Sequence, residues 1–201
     1  MSDHKSGLIS HIPYAVAARN LLRDSVLGAV HELSRSNGWA ATTIAAIAVQ
    51  SGVSRQTIYK EFGTRQSLAE AYIVHRVDWQ LDRMQKVFDT TEGDLEARIR
   101  AALATIFDFI DEPLIHMTLE GGRIGSEDLV SLLKETNALA TRRVGAIVKT
   151  LVPDLSDAET IIAADTLVRV AVTHAIAPIL SREEAIHRMV WVAMRLLPDR
   201  V

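Results

Sequence analysis

Apolar positions return every three or four residues along nearly the whole chain and never settle into strict alternation, so the predicted elements are helices. Leu22, Val26, Ala29, Val30 and Leu33 share one face of a helix from about Val16 to Ser36, which Asn37-Gly38 stops. Trp39 follows and is expected to cover the bottom of a small core. Ile44, Ile47 and Ala48 then mark a short helix, Ile58 and Phe62 a second. Thr64 caps a fourth, whose stripe of Leu68, Tyr72, His75 and Trp79 continues to about Phe88. Thr90 to Gly93 reads as a linker. Beyond it Ile99, Leu103, Ile106, Phe107 and Ile110 form another face, ended by Asp111-Glu112-Pro113. Residues 114–125 are expected to hold a short helix followed by a flexible Gly121-Gly122. Ser126 starts a long helix through Leu129, Leu133, Leu139, Val144, Ile147 and Leu151, with Pro153 as its stop.

The last two helices start at Ser156-x-x-Glu159 and Ser181-x-x-Glu184, both capping boxes in which hydroxyl and carboxylate satisfy backbone donors reciprocally. Pro178 and Pro198 close them. From Ile161 to Ile179 and from Ile186 to Leu197 apolar residues occur almost all round the cylinder, so each helix needs cover on more than one side. The expected fold class is all-α. A helix-turn-helix domain of three helices is expected over 1–72, its connecting helix reaching about 88, and a second helical domain over 73–201.

Between the two short helices stands Ser51-Gly52-Val53-Ser54, which leaves room only for a sharp turn. Gly52 supplies the positive-φ residue that ends the first helix, and the Ser54 hydroxyl can accept a first-turn N–H of the next. That next helix buries Ile58 and Phe62 and offers Arg55, Gln56, Thr57, Tyr59 and Lys60 outward. A short donor-rich helix after a glycine-containing turn is the arrangement that lets one helix enter a major groove while its neighbour braces it. Glu61 is expected to be a solvated charge facing away from DNA.

Thr43, Ile44, Ile47, Ala48, Gly52, Val53, Ser54, Thr57, Tyr59, Phe62 and Leu68, in order and without gaps, resemble the TetR-type bacterial transcriptional regulators. The motif-level likeness covers about residues 18–72; beyond it only length and helical pattern agree. On the recognition segment it implies phosphate contact at Ser54, base contact from Arg55, Gln56 and Thr57, and a backbone grip by Tyr59 and Lys60. Thr43 and Arg65 flank the groove. The chemistry concurs, since Arg pairs with guanine O6/N7 and Gln with adenine N6/N7. One departure is Ala45, Ala46 and Val49 on the bracing helix, where relatives commonly place polar or charged groups. Fewer phosphate clamps mean weaker non-specific binding. The resemblance also places a homodimer's four-helix bundle at the last two helices, with Val172, Ile176, Met189, Val190, Ala193 and Leu197 as candidate contacts.

Composition narrows this further. With 201 residues and 48% hydrophobic content, the chain can bury a substantial core. It has no cysteine, so disulfides and thiolate metal sites are excluded, which suits a cytoplasmic protein. Residues 1–6 are polar and do not read as a secretory signal. The most apolar stretch, Ile161 to Leu180, contains Asp165, Arg169, His174 and Pro178 and is expected to be a buried helix, not a membrane span. The net charge of −3 hides an asymmetry: residues 1–70 carry seven Lys/Arg against five Asp/Glu, the remainder fifteen against twenty. Attraction to phosphate must therefore be local to the first part of the chain.

The second domain is expected to hold a hydrophobic small-molecule effector. Candidate lining residues are Phe107, Phe109, Ile110, Leu114, Met117, Leu133 and Val168, with His116, Glu120, Thr136, Arg169, Thr173 and His174 as polar contacts. Asp165 and Arg169 are also spaced to pair with each other. Gly121-Gly122-x-x-Gly125 lacks the lysine and preceding strand of a phosphate-binding loop. No cofactor or metal site is read, and no clustered acid, base and nucleophile that would indicate an enzyme. The leading expectation is a repressor that binds a palindromic double-stranded DNA operator as a homodimer and is released by a mostly apolar molecule. Alternatives are an activator or corepressor-dependent regulator, or a helical carrier or enzyme without DNA binding.

Overall fold

The computed structural model describes residues 13–110, 126–176 and 179–197, with the side chains of 110, 126–129, 175 and 176 outside that description. Eight α-helices and no strand occur among the described residues. The chain divides into two compact units, Met1–Gly63 and Thr64–Val201, so the expected boundary at 72 lies inside a helix of the second unit.

In the first unit, α1 (Tyr14–Ala41) buries Val26, Leu27, Ala29 and Val30 along one face. Gly38, at φ 74° and ψ 157°, breaks the helix close to the expected stop, and the chain re-forms a last turn that buries Trp39. The Thr42 hydroxyl donates to the Gly38 carbonyl at 2.9 Å and ties this kink down. α2 (Ile44–Ser51) inserts Ile44 and Ile47, and α3 (Arg55–Phe62) inserts Ile58 and Phe62. Burying each of these large side chains contributes roughly 1.5–3 kcal/mol, sufficient to fix so small a core.

Among the described residues the second unit comprises α4 (Arg65–Thr90), α5 (Leu95–Ile110), α6 (Ser126–Leu151), α7 (Asp157–Ile176) and α8 (Arg182–Leu196). α4 packs on α5 and α6, α6 on α7, and α8 on α5 and α7. Their shared core runs from Leu81, Met84 and Phe88 through Ile99, Ala102 and Val148 to Met189, Val190, Ala193 and Leu197. The N-terminus of α7 carries the full capping box: Ser156 N and Oγ both donate to Glu159 Oε2, at 2.9 and 2.7 Å, and Glu159 N donates to Ser156 Oγ at 3.2 Å. At α8 only half of the box forms. Glu184 N donates to Ser181 Oγ, but the Glu184 carboxylate accepts from Arg188, one turn on, at 2.7 Å.

The phase of α4 also departs from expectation. His75 and Trp79 are exposed, while Arg76 and Gln80 take buried positions. Polar Arg76 is accommodated by stacking its guanidinium 4.1 Å from the centre of the outward-facing Trp79 ring. The expected short helix within 114–125, and the prolines 178 and 198, lie outside the described residues.

Candidate nucleic-acid interface and apolar cavity

The turn between α2 and α3 is held by its own side chains. Gly52 sits in the left-handed region at φ 69° and ψ 14°, which ends α2. The Ser51 hydroxyl donates to the Ile47 carbonyl at 2.7 Å, and Ser25 on α1 donates to the Ser51 carbonyl at 3.0 Å, anchoring the turn to the longest helix of the unit. Ser54 caps α3 by accepting from Thr57 N at 3.1 Å, and its hydroxyl also meets Thr57 Oγ1 at 2.8 Å. Thr57 is therefore half-buried and engaged in the cap. Thr43 plays the same part for α2, accepting from Ala46 N at 3.1 Å.

With Ile58 and Phe62 buried, the remaining face of α3 carries exposed Arg55, Gln56, Tyr59 and Lys60. These are the donors that the motif singles out, and they are brought together on one helix of eight residues. Val49 on α2 is 85% exposed, an apolar position where a phosphate clamp is absent.

Glu61 corrects an expectation. It is not a solvated charge: Arg19 grips it through Nε at 2.9 and 3.0 Å, and Arg23 through Nη1 at 2.7 Å. Arg23 also lies over the Phe62 ring, 4.7 Å from its centre. Burial pushes the Glu61 carboxyl up, but the hydrogen bonds and charges of Arg23 and Arg19 outweigh it, and the group ends below the ordinary glutamate range. The cluster locks α3 onto α1 and consumes two of the cations that give this unit its positive balance.

The second unit contains a cavity of about 100 Å³. Its wall is drawn from all five helices: Met84 and Phe88 of α4; Ile99, Ala102, Leu103 and Ile106 of α5; Val144, Ile147, Val148 and Leu151 of α6; Leu167, Val168 and Val170 of α7; Met189, Ala193 and Leu197 at α8. Every lining residue among those described is apolar. Of the expected lining residues Val168 is present. Phe107 is half-buried against the same core but lies beneath Arg182 rather than on the wall. Leu133 is half-buried away from the wall, and Thr136 spends its hydroxyl on the Leu132 and Leu133 carbonyls. Ile110 and Met117 lie outside the described side chains, as do Leu114, His116 and Glu120.

Two further assignments are corrected. Arg169 is an exposed residue paired with Asp165 at 2.7 Å, one turn back on α7, and does not reach the cavity. Met189, Val190, Ala193 and Leu197, expected to face a second subunit, are all 5% exposed or less within this chain. They are its own core, and three of them line the cavity. Val172 is half-buried against the same core, and the Ile176 side chain lies outside the description. Among the described side chains, the large apolar residues that α7 and α8 leave exposed are Ile161, Ile162 and Trp191. Sequence reading missed most of the cavity wall, because periodicity reports that a face is buried and not whether a void lies behind it.

Residues 26–72 match the family described as bacterial regulatory proteins, tetR family, and residues 94–195 match the bacterial tetracyclin repressor, C-terminal domain. The chain belongs to the TetR family. It is 36% identical over 139 residues to the HTH-type transcriptional regulator AlkX of Mycobacterium tuberculosis, covering 69% of this chain and 65% of that one. It is 31% identical over 93 residues to the HTH-type transcriptional activator FasR of Mycolicibacterium smegmatis, covering 46% and 42%. The chain thus spans less than two thirds of the length of either relative. Among solved structures it is similar to the TetR family repressor AlkX from Dietzia sp., implicated in biodegradation of n-alkanes, with a TM-score of 0.68, 21% identity, and 87% and 94% of the two chains covered. A TetR-family regulator from Pectobacterium atrosepticum gives a TM-score of 0.62 at 18% identity, with 90% and 94% covered. At such identities these likenesses establish the fold alone. The family is one of transcriptional regulators rather than enzymes, and no described helix of this TetR-family chain is long and apolar enough to cross a membrane.

Proposed function

We propose that this TetR-family protein is a ligand-responsive repressor, which binds a palindromic operator as a homodimer and lets go when an apolar molecule enters the second unit. The observation that carries the reading is the cavity whose described wall is entirely apolar and contributed by five helices. Such a void has no use for water and favours a hydrocarbon-like occupant. DNA contact is assigned to Arg55, Gln56, Tyr59 and Lys60, with Ser54 at the N-terminus of α3 and Thr43 and Arg65 as flanking phosphate contacts. The similar Dietzia protein, a repressor implicated in the biodegradation of n-alkanes, favours the same scheme.

For release, the occupant must bind the DNA-incompetent arrangement better than the competent one; without differential affinity there is no induction. α4 contributes Met84 and Phe88 to the wall and begins at Arg65, two residues after Gly63, the last of the first unit, so it is the proposed lever. The homodimer is assigned to the exposed Ile161, Ile162 and Trp191 on α7 and α8 in place of the buried residues named from sequence. A gel-shift with the DNA upstream of the chain's own gene, with and without apolar compounds that raise its melting temperature, tests the scheme. Release by those compounds supports it. Tightened binding would favour the second reading, an activator of the kind named for the FasR relative.

A further inference from the structure

One buried polar group beside the cavity is left without a partner. Gln80 is 5% exposed on α4, and Thr105, equally buried, faces it from α5. Gln80 Nε2 donates to the Thr105 carbonyl at 2.7 Å and to Thr105 Oγ1 at 2.8 Å. The Thr105 hydroxyl in turn donates to the Ala102 carbonyl at 2.7 Å. A carbonyl oxygen only accepts, so the atom facing Thr105 must be the amide nitrogen, and the orientation of the amide is thereby set. Its oxygen, Gln80 Oε1, is buried and meets no donor. Buried acceptors are almost always satisfied, and one that is not calls for an explanation.

The cavity supplies it. Met84, one turn along α4, and Ala102 and Ile106, on either side of Thr105 on α5, all line the void. The orphan acceptor therefore stands one helical turn from a wall that offers no other polar group among the described residues. We propose that Gln80 Oε1 is the recognition point for a neutral effector with a hydrocarbon body and a single hydroxyl, the body filling the cavity and the hydroxyl donating to Gln80. The proposal rests on the effector role assigned to the cavity above. A carboxylate has no proton to donate and would face the amide oxygen with its own negative charge. An ammonium would bring an unpaired charge into an apolar site, which is costly. A bare hydrocarbon or an ether would leave Oε1 unmet.

At about 100 Å³ the void is smaller than the roughly 150 Å³ cavity that accepts benzene, so short chains are the fitting probes. 1-Butanol and 1-methoxypropane are isomers, alike in size, of which only the alcohol donates. Calorimetric titration of the full chain is expected to show 1-butanol binding about three- to tenfold more tightly than the ether, the effect of one neutral hydrogen bond. Butanoate at pH 8 is expected to bind more weakly than either. Gln80→Met keeps the volume and removes the acceptor, so it should erase the preference while retaining affinity for the ether. Equal binding of the two isomers to the wild type, the result expected if only a water meets Oε1, would overturn the assignment, as would a preference that survives in Gln80→Met. The wild-type comparison decides the matter even if the variant misfolds. If the isomers bind equally well, Gln80 alone loses its role; if no apolar probe binds at all, the effector reading falls with it.

Discussion

Glu61, Arg19, Arg23 and Phe62 form the densest electrostatic cluster of the first unit, and its pH response follows from the lowered Glu61 pKa. A carboxyl whose folded pKa lies below its unfolded value contributes stability that is present above the unfolded pKa and lost as pH falls through the folded one. The melting temperature should therefore decline from about pH 4.5 downward, and Glu61→Gln should lower it at pH 7 while flattening that acid limb. A variant with an unchanged acid limb would show that the pair contributes nothing. Nearby, the exposed donors separate by role. Arg55→Ala and Gln56→Ala should each relax preference at particular base pairs, at a cost of about 1–3 kcal/mol where the contact is bidentate. Lys60→Ala should weaken all sequences alike and reduce the salt slope by roughly one unit. Operator binding unaffected by Arg55→Ala and Lys60→Ala together would remove α3 from the interface. These residues were legible in the sequence because Ile58 and Phe62 fix the inward face and leave the donors one way to point. Glu61 was not, because its partners lie about forty positions away on α1 and no local pattern announces them.

Single helices show where pattern suffices and where neighbours decide. α2 and α3 begin and end where caps and glycines require, and α7 starts at its capping box. The identical spacing at Ser181 and Glu184 yields only half a box, since Arg188 competes for the carboxylate. Glu159→Ala should accordingly lower the melting temperature more than Glu184→Ala, and the reverse order would contradict the reciprocal cap. In α4, an aromatic at position 79 suggested a buried stripe that the structure assigns to Arg76 and Gln80; stacking of Arg76 on Trp79 reverses the ordinary preference of both residues. α2 carries a further expectation. With Val49 exposed and uncharged, the bracing helix lacks a clamp, so Val49→Arg should raise non-specific DNA affinity at low salt and steepen the salt dependence by about one unit. An unaltered slope would mean that this face of α2 does not approach phosphate.

At the scale of the whole molecule, the all-round apolar character of α7 and α8 had two possible meanings, a subunit interface or a wall around a void, and sequence cannot separate them because both demand the same residues. The structure gives α8 both a buried and an exposed apolar face: Met189, Ala193 and Leu197 toward the cavity, Trp191 toward solvent. The two faces make separable predictions. Trp191→Glu, placed in an apolar interface, should yield a monomer in sedimentation while leaving the cavity able to bind apolar probes; a dimer that persists would put the interface elsewhere. Ala193→Leu fills part of the void from within. It should leave operator binding intact and weaken ligand binding tenfold or more, because the space is small and its neighbours are already packed. By linkage the ligand's effect on the operator and the operator's effect on the ligand are the same free energy. A filled cavity should therefore remove both the ligand-induced rise in melting temperature and the release of DNA. If Ala193→Leu abolishes ligand binding and yet the same compound still frees the operator, release does not run through this cavity.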